Sequence, residues 1–181
     1  MTNAALACCA AGIRPRLSDL VIDGGNVVRS RTKVILTDRI YRENPQYAPR
    51  ELVLAIKKAL KVRTVIVIPT EPGDPFGHAD GCIWFIGENT VMVNDSIKET
   101  RSFTKKLCEI LKEHELNVLE VPYFRDHDQK HKDSAVGNYI NYLEVGSLVI
   151  VPSYKGHEQV NRFAKQRIRR AFGTSKNVVS L

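Results

Sequence analysis

A chain of 181 residues, 43% hydrophobic and 26% charged, can build one sizeable core and at most two small domains. That composition excludes disordered, collagen-like and disulfide-scaffold classes. Lys and Arg outnumber Asp and Glu by 27 to 20, and the net charge of +7 raises nucleic acid as a partner. The distribution argues against it. The densest basic run, Lys165–Arg170, shares a helical pattern with an apolar stripe of Val160, Phe163, Ala164, Ile168, Ala171 and Phe172, so its charges read as a solvated helix face.

Residues 1–17 show no repeated pattern and are expected to be irregular. They hold the longest apolar run, Ala4–Ala11, which is far shorter than the roughly 20 residues of a membrane span and follows no Lys or Arg. The expectation is a cytoplasmic protein without a membrane partner. The four cysteines, Cys8, Cys9, Cys82 and Cys108, fall in no CxxC or CxxxH spacing that would suggest zinc or redox work.

From residue 18 onward the chain repeats itself. Val34–Leu36, Val91–Val93 and Val149–Val151 are short hydrophobic strands about 57 residues apart, each ending in a turn or helix-start signal. An earlier strand-like run precedes each (Asn26–Arg29, Cys82–Ile86, Tyr139–Leu143), with a short turn between, so each pair reads as a hairpin. A helical pattern follows each hairpin. The first starts near Pro49 with Leu52, Ile56, Ala59 and Leu60; the second carries Phe103, Leu107, Ile110 and Leu111; the third is the Val160–Phe172 stripe. Each helix feeds a closing strand, at Val65–Ile68, Val118–Val121 and Val178–Val179. The fold class is therefore α/β, built from β-β-α-β modules over about 18–70, 78–124 and 136–181. Two polar linkers, Thr70–Gly77 and Arg125–Asp133, lie just before first strands, where site loops belong.

The repeat phase places Asp23, Asp80 and Asn138 at equivalent positions, each opening the first strand of its module. An Asp before Gly is ordinarily a turn residue, but the coincidence of all three at one phase favours a shared site. His78 lies two residues before Asp80, so on a strand the two would project to one face. Convergent carboxylates suit a planar cation such as guanidinium, and a neighbouring His titrates near neutral pH.

The segments DGGNVV, GHADG, GNYINYL and VIVPSY, in this order on a β-β-α-β repeat, resemble the agmatine deiminase family of the pentein superfamily, including its Porphyromonas-type peptidylarginine deiminases. The resemblance covers about residues 18–181. It implies a fan of five modules around a pseudo-fivefold axis, of which this sequence matches three, so an incomplete pentein is expected. It implies a hydrolase that converts a guanidinium to a ureido group and ammonia through a Cys-thiouronium intermediate, with no cofactor and no metal. His78 would be the general acid and base, Asp80 and Asp23 would hold the guanidinium, and Asn138 would be a substrate-binding residue. The family's aromatic-x-Arg-Asp segment ahead of the acidic-Gly-Gly motif has no match here, and its nucleophilic cysteine lies beyond the last residue of this sequence.

Cys82 is the candidate that could stand in as nucleophile, since a strand running from Asp80 would turn it toward His78; a buried apolar role is the competing reading. Cys108 on its helix reads as packing. His127 and His131, with His78 and Asp80, could be pictured as metal ligands, but nothing apolar anchors their segment as a helix, and a solvated loop is expected. The partner expected is a small-molecule or peptidyl guanidino substrate, not nucleic acid, together with self-association or complementation by further modules. The alternatives are a non-catalytic guanidinium-binding module of the same fold and a basic nucleic-acid-binding domain.

Overall fold

In the computed structural model, described for residues 4–95, 101–124 and 134–181, three β-β-α-β modules follow one another. The first comprises β1 (Val28–Arg29), β2 (Lys33–Thr37), the short helix α2 (Arg39–Glu43), α3 (Pro49–Leu60) and β3 (Thr64–Ile68). The second has β4 (Ile83–Phe85), β5 (Thr90–Asn94), α4 (Arg101–Glu113) and β6 (Asn117–Val121). The third has β7 (Leu143–Val145), β8 (Leu148–Val151), α5 (Glu158–Phe172) and β9 (Asn177–Ser180). Ahead of them, α1 (Ala4–Ala10) forms one short helix where an irregular segment was expected, in a segment whose alanines and leucine have high helix propensity.

Each module closes its own three-stranded sheet, in the orders β1-β2-β3, β4-β5-β6 and β7-β8-β9. The central strand is antiparallel to the first and parallel to the last, as a hairpin followed by a helical crossover requires. The helix ends are written locally. Pro49 opens α3, the Glu51 carboxylate accepts the Ala48 N–H at 3.2 Å, and Lys61 ends the helix in the left-handed conformation with φ 53°.

Helices α4 and α5 each sit between two sheets, and α3 covers one. Leu52 and Ile56 of α3 pack on Val34 and Leu36, which alternate along β2. The opposite face of that sheet, the cross-strand row Val28, Ile35 and Ile66, is covered by Phe103, Leu107 and Leu111 of α4. The equivalent row of the second sheet, Trp84, Met92 and Leu119, packs with Ala164, Ile168 and Phe172 of α5. A buried Leu in such a layer contributes roughly 1.5–3 kcal/mol by leaving water. Burial of strand residues on both faces explains why the central strands read as continuous hydrophobic runs.

Four local expectations are corrected by the packing. The strand expected over Tyr139–Leu143 begins only at Leu143, because Asn138 is bridged to Tyr123 and Tyr139 and Ile140 are committed to the core. The strand expected from Asn26 starts at Val28, since Gly24–Asn26 form a 3-10 turn. Phe163 lies outside the buried stripe of α5, under the Arg167 guanidinium at 5.2 Å, and Cys108 is exposed on α4. His127 and His131 fall outside the described residues. No helix among the described residues is long and apolar enough to cross a membrane.

Candidate functional site

Two turns from different modules meet at the candidate site. The first is Asp23-Gly24-Gly25, where the Asp23 carboxylate caps the 3-10 turn by accepting the Gly25 N–H at 3.2 Å. The second runs from Asp74 to Cys82. There the two Asp74 oxygens accept the backbone N–H groups of Phe76 and His78, each at 2.8 Å, in an Asx-type arrangement that fixes the loop. The turns are tied directly, the Asp80 N–H donating to the Gly25 carbonyl at 3.0 Å.

The tie sets His78 between two carboxylates. Its Nε2 lies 3.1 Å from Asp23 Oδ2, and its Nδ1 lies 3.9 Å from Asp80 Oδ1. The Nε2 atom is buried, and its contact with Asp23 is an ion pair only when the imidazole is protonated. The Phe76 ring flanks the imidazole at 5.6 Å between centroids. Beneath it, Gly25 has no room for a side chain, since a Cβ there would fall 2.4 Å from His78 Nδ1.

The environment separates the two carboxyls. Pairing with His78, and next the Gly25 N–H, hold Asp23 below its ordinary 3.8. Asp80 is raised, chiefly by burial; His78 opposes that rise while Asp23 and Asp74 add to it. One acid is thus firmly ionised and its neighbour is easier to protonate. Such divergence within a few ångströms is a property of functional clusters.

Asn138 meets the site from behind. It is buried, and its Nδ2 donates to the Gly81 carbonyl at 2.9 Å, beside Asp80. Asn94 Nδ2 donates to the same carbonyl at 2.8 Å and to Asn138 Oδ1 at 3.2 Å. Asn138 therefore holds the turn that carries Asp80, and its hydrogen bonds run to Gly81 and Asn94 while Asp23 and Asp80 flank His78. Asn94 was not foreseen, yet it sits one repeat after Thr37, whose hydroxyl donates to the Gly77 carbonyl at 2.6 Å in the same loop. The ends of β2 and β5 both grip the loop, and the shared phase was the available signal. Asp74 was also missed; the Gly-Asp-Pro sequence announces a turn but not its target.

The strand geometry expected for His78, Asp80 and Cys82 is replaced by a turn, with consequences for the sulfur. Cys82 is buried among Ala79, Ile83 and Val93, its Sγ lies 3.5 Å from the Ala79 carbonyl, and burial pushes the thiol well above its ordinary range. That is the environment of an inert cysteine.

A series of β-β-α-β modules, with α4 and α5 each packed between consecutive sheets, is the arrangement of the pentein fold. The C. jejuni agmatine deiminase structure matches with a TM-score of 0.78 at 19% identity, covering 98% of this chain and 55% of that one. Agmatine deiminase of Enterococcus faecalis matches with a TM-score of 0.76 at 21% identity, covering 97% of this chain and 56% of that one. The chain spans little more than half the length of these structures. It belongs to the Porphyromonas-type peptidyl-arginine deiminase family, whose pattern matches residues 2–181. No curated protein matches the sequence significantly.

Proposed function

We infer that Asp23, His78 and Asp80 form the guanidinium-binding and proton-transfer part of a deiminase site acting on agmatine or a peptidyl-arginine. The reading is carried by one observation: a histidine whose two ring nitrogens face two carboxylates across a junction of modules. A guanidinium presents planar pairs of N–H donors that match carboxylate oxygens, so Asp23 and Asp80 would orient it by charge-assisted hydrogen bonds. His78 would accept a proton and return it to the departing nitrogen as ammonia leaves, while water supplies the oxygen of the ureido product. Family membership supports this reaction class, and a C. jejuni agmatine deiminase variant is known with substrate bound.

Covalent deimination also needs a thiolate at the guanidinium carbon. Cys82, buried and hard to ionise, is not suited to that role. The site formed by Asp23, His78 and Asp80 is thus read as the guanidinium-binding part, with Cys82 excluded as its nucleophile. Isothermal titration with agmatine and with an arginine-containing peptide, paired with an ammonia-release assay, tests both halves. Binding that weakens in Asp23→Asn and Asp80→Asn without ammonia release is the expected result. Ammonia release that vanishes in Cys82→Ser would overturn the assignment of Cys82, and absence of any binding would overturn the site.

A further inference from the structure

The loop that leads into His78 is pinned along its length. At its start, Asp38 Oδ1 accepts the Thr70 N–H at 3.0 Å and the Thr70 hydroxyl at 2.7 Å. At its end, the Gly77 carbonyl accepts the Thr37 hydroxyl at 2.6 Å. Between them, the Asp74 carboxylate accepts the N–H groups of Phe76 and His78, each at 2.8 Å. Pro75 fixes its own φ, and Gly77 takes φ +63°, so the chain from Asp74 to His78 has little freedom left. One carboxylate thus sets two side chains together. Whatever places His78 also places Phe76.

The outcome is an aromatic ring beside the imidazole, with centroids 5.6 Å apart and planes tilted by 36°. Phe76 is 49% exposed, and the side chains of Asp23 and Asp80, which flank the same imidazole, are 50% and 41% exposed. Ring and carboxyls can therefore be reached together by one ligand. A single half-exposed Phe on a protein surface needs no explanation. A Phe fixed by the same carboxylate that fixes the histidine of the site does.

A substituted guanidine has two chemically different parts, a planar cationic head and the alkyl chain that carries it. The carboxylates match the head and offer the chain nothing, since methylenes gain only by leaving water against apolar surface. We propose that Phe76 is that surface: a specificity-determining residue whose ring packs along the alkyl chain while Asp23 and Asp80 hold the head. The assignment rests on the guanidinium-binding reading of Asp23, His78 and Asp80 and adds to it a preference. The site selects a guanidine borne on several methylenes over a bare or methylated one, and it does so through apolar area, without a further charge.

Isothermal titration with the n-alkylguanidines from methyl- to butylguanidine tests this, because the series lengthens the chain while the charge stays at one. Wild-type affinity is expected to rise about twofold per methylene, below the full transfer value because the ring covers one side of the chain. Phe76→Ala should flatten the series, losing about eightfold for butylguanidine over its three added methylenes and leaving methylguanidine within about twofold. Retained methylguanidine binding also shows that the variant keeps its fold and its carboxylates in place. Phe76→Leu, which removes the ring and keeps apolar area, should preserve most of the rise. Asp80→Asn reports on the head and should weaken every member alike. A wild-type series that is flat with chain length overturns the proposal, as does one that stays steep in Phe76→Ala. An equal loss for every member in Phe76→Ala also overturns it, since the ring would then act on the head. If Asp80→Asn leaves the whole series unchanged, the guanidinium-binding reading fails and the role of Phe76 falls with it.

Discussion

Gly25 lies directly under the ring of His78, so closely that a Cβ on it would stand 2.4 Å from Nδ1 and 2.7 Å from Cε1. Its neighbour Gly24 has nothing within 4 Å of the same position, and neither residue has a left-handed φ. Only the second glycine of the pair is therefore required by the imidazole, and the requirement is steric. Gly25→Ala should displace His78 and weaken agmatine binding by about tenfold or more, the scale expected when a site group moves by about an ångström. Gly24→Ala should leave affinity within about twofold. Calorimetric titration of both variants checks it, and equal losses would show that the pair matters for backbone freedom instead.

Acidification should act on the two carboxyls at different points. Asp23, held below 3.8 by His78 and the Gly25 N–H, stabilises the fold when ionised, and that contribution is present above 3.8 and lost as pH falls through its lower folded value. Asp80, raised chiefly by burial, has the opposite sign: its contribution is present below 3.8 and lost as pH rises through its folded value. Guanidinium binding needs both ionised, so affinity should fall first with protonation of Asp80, with a midpoint above 3.8. The titration of bound agmatine against pH measures this. A midpoint below 3.8 would contradict the burial of Asp80 as the controlling feature.

Asn94 and Asn138 share the Gly81 carbonyl, so removing either leaves the other in place. Each alanine substitution is expected to cost about 1 kcal/mol, and the double variant more than the two together, because only then does a half-buried carbonyl lose both partners. Urea unfolding of the four proteins gives the coupling. Simple additivity would mean that the shared acceptor is not what holds the loop.

Gly137 has φ +88°, and a Cβ there would fall 1.8 Å from the Phe124 carbonyl oxygen. Both strain and overlap oppose a side chain, and no flexible group can give way. Gly137→Ala should cost about 3 kcal/mol or more and loosen the Tyr123–Asn138 bridge. A melting temperature within a few degrees of wild type would show that the two segments are free to separate.

The thiols should divide by exposure. Cys9 and Cys108 are exposed, Cys8 is half-buried and Cys82 is buried. Brief treatment with a maleimide at neutral pH should label Cys9 and Cys108 and spare Cys82 until the chain is denatured. Mass spectrometry of the digested protein reads this out, and fast labelling of native Cys82 would return it to candidacy as a nucleophile.

Local pattern carried most of this fold. The recurrence of Val34–Leu36, Val91–Val93 and Val149–Val151 defines three modules, and the helices over Pro49–Leu60, Arg101–Glu113 and Glu158–Phe172 match their apolar spacing. The same periodicity brought Asp23 and Asp80 to one phase, with His78 attached. Tertiary packing decided what phase could not. Residues 78–82 turn where a strand was expected, because Asp74 and the Gly25 carbonyl capture their N–H groups, and that turn points His78 at two carboxylates while sending Cys82 into the core. The third hairpin starts late because Asn138 and Tyr139 are claimed by Gly81 and by the aromatic cluster of Phe124 and Tyr154. Strand and helix periods are properties of neighbouring residues; the partner of a buried donor or carbonyl is chosen by groups tens of residues away, which is why the roles of Gly25, Asp74 and Asn94 emerged only from the assembled structure.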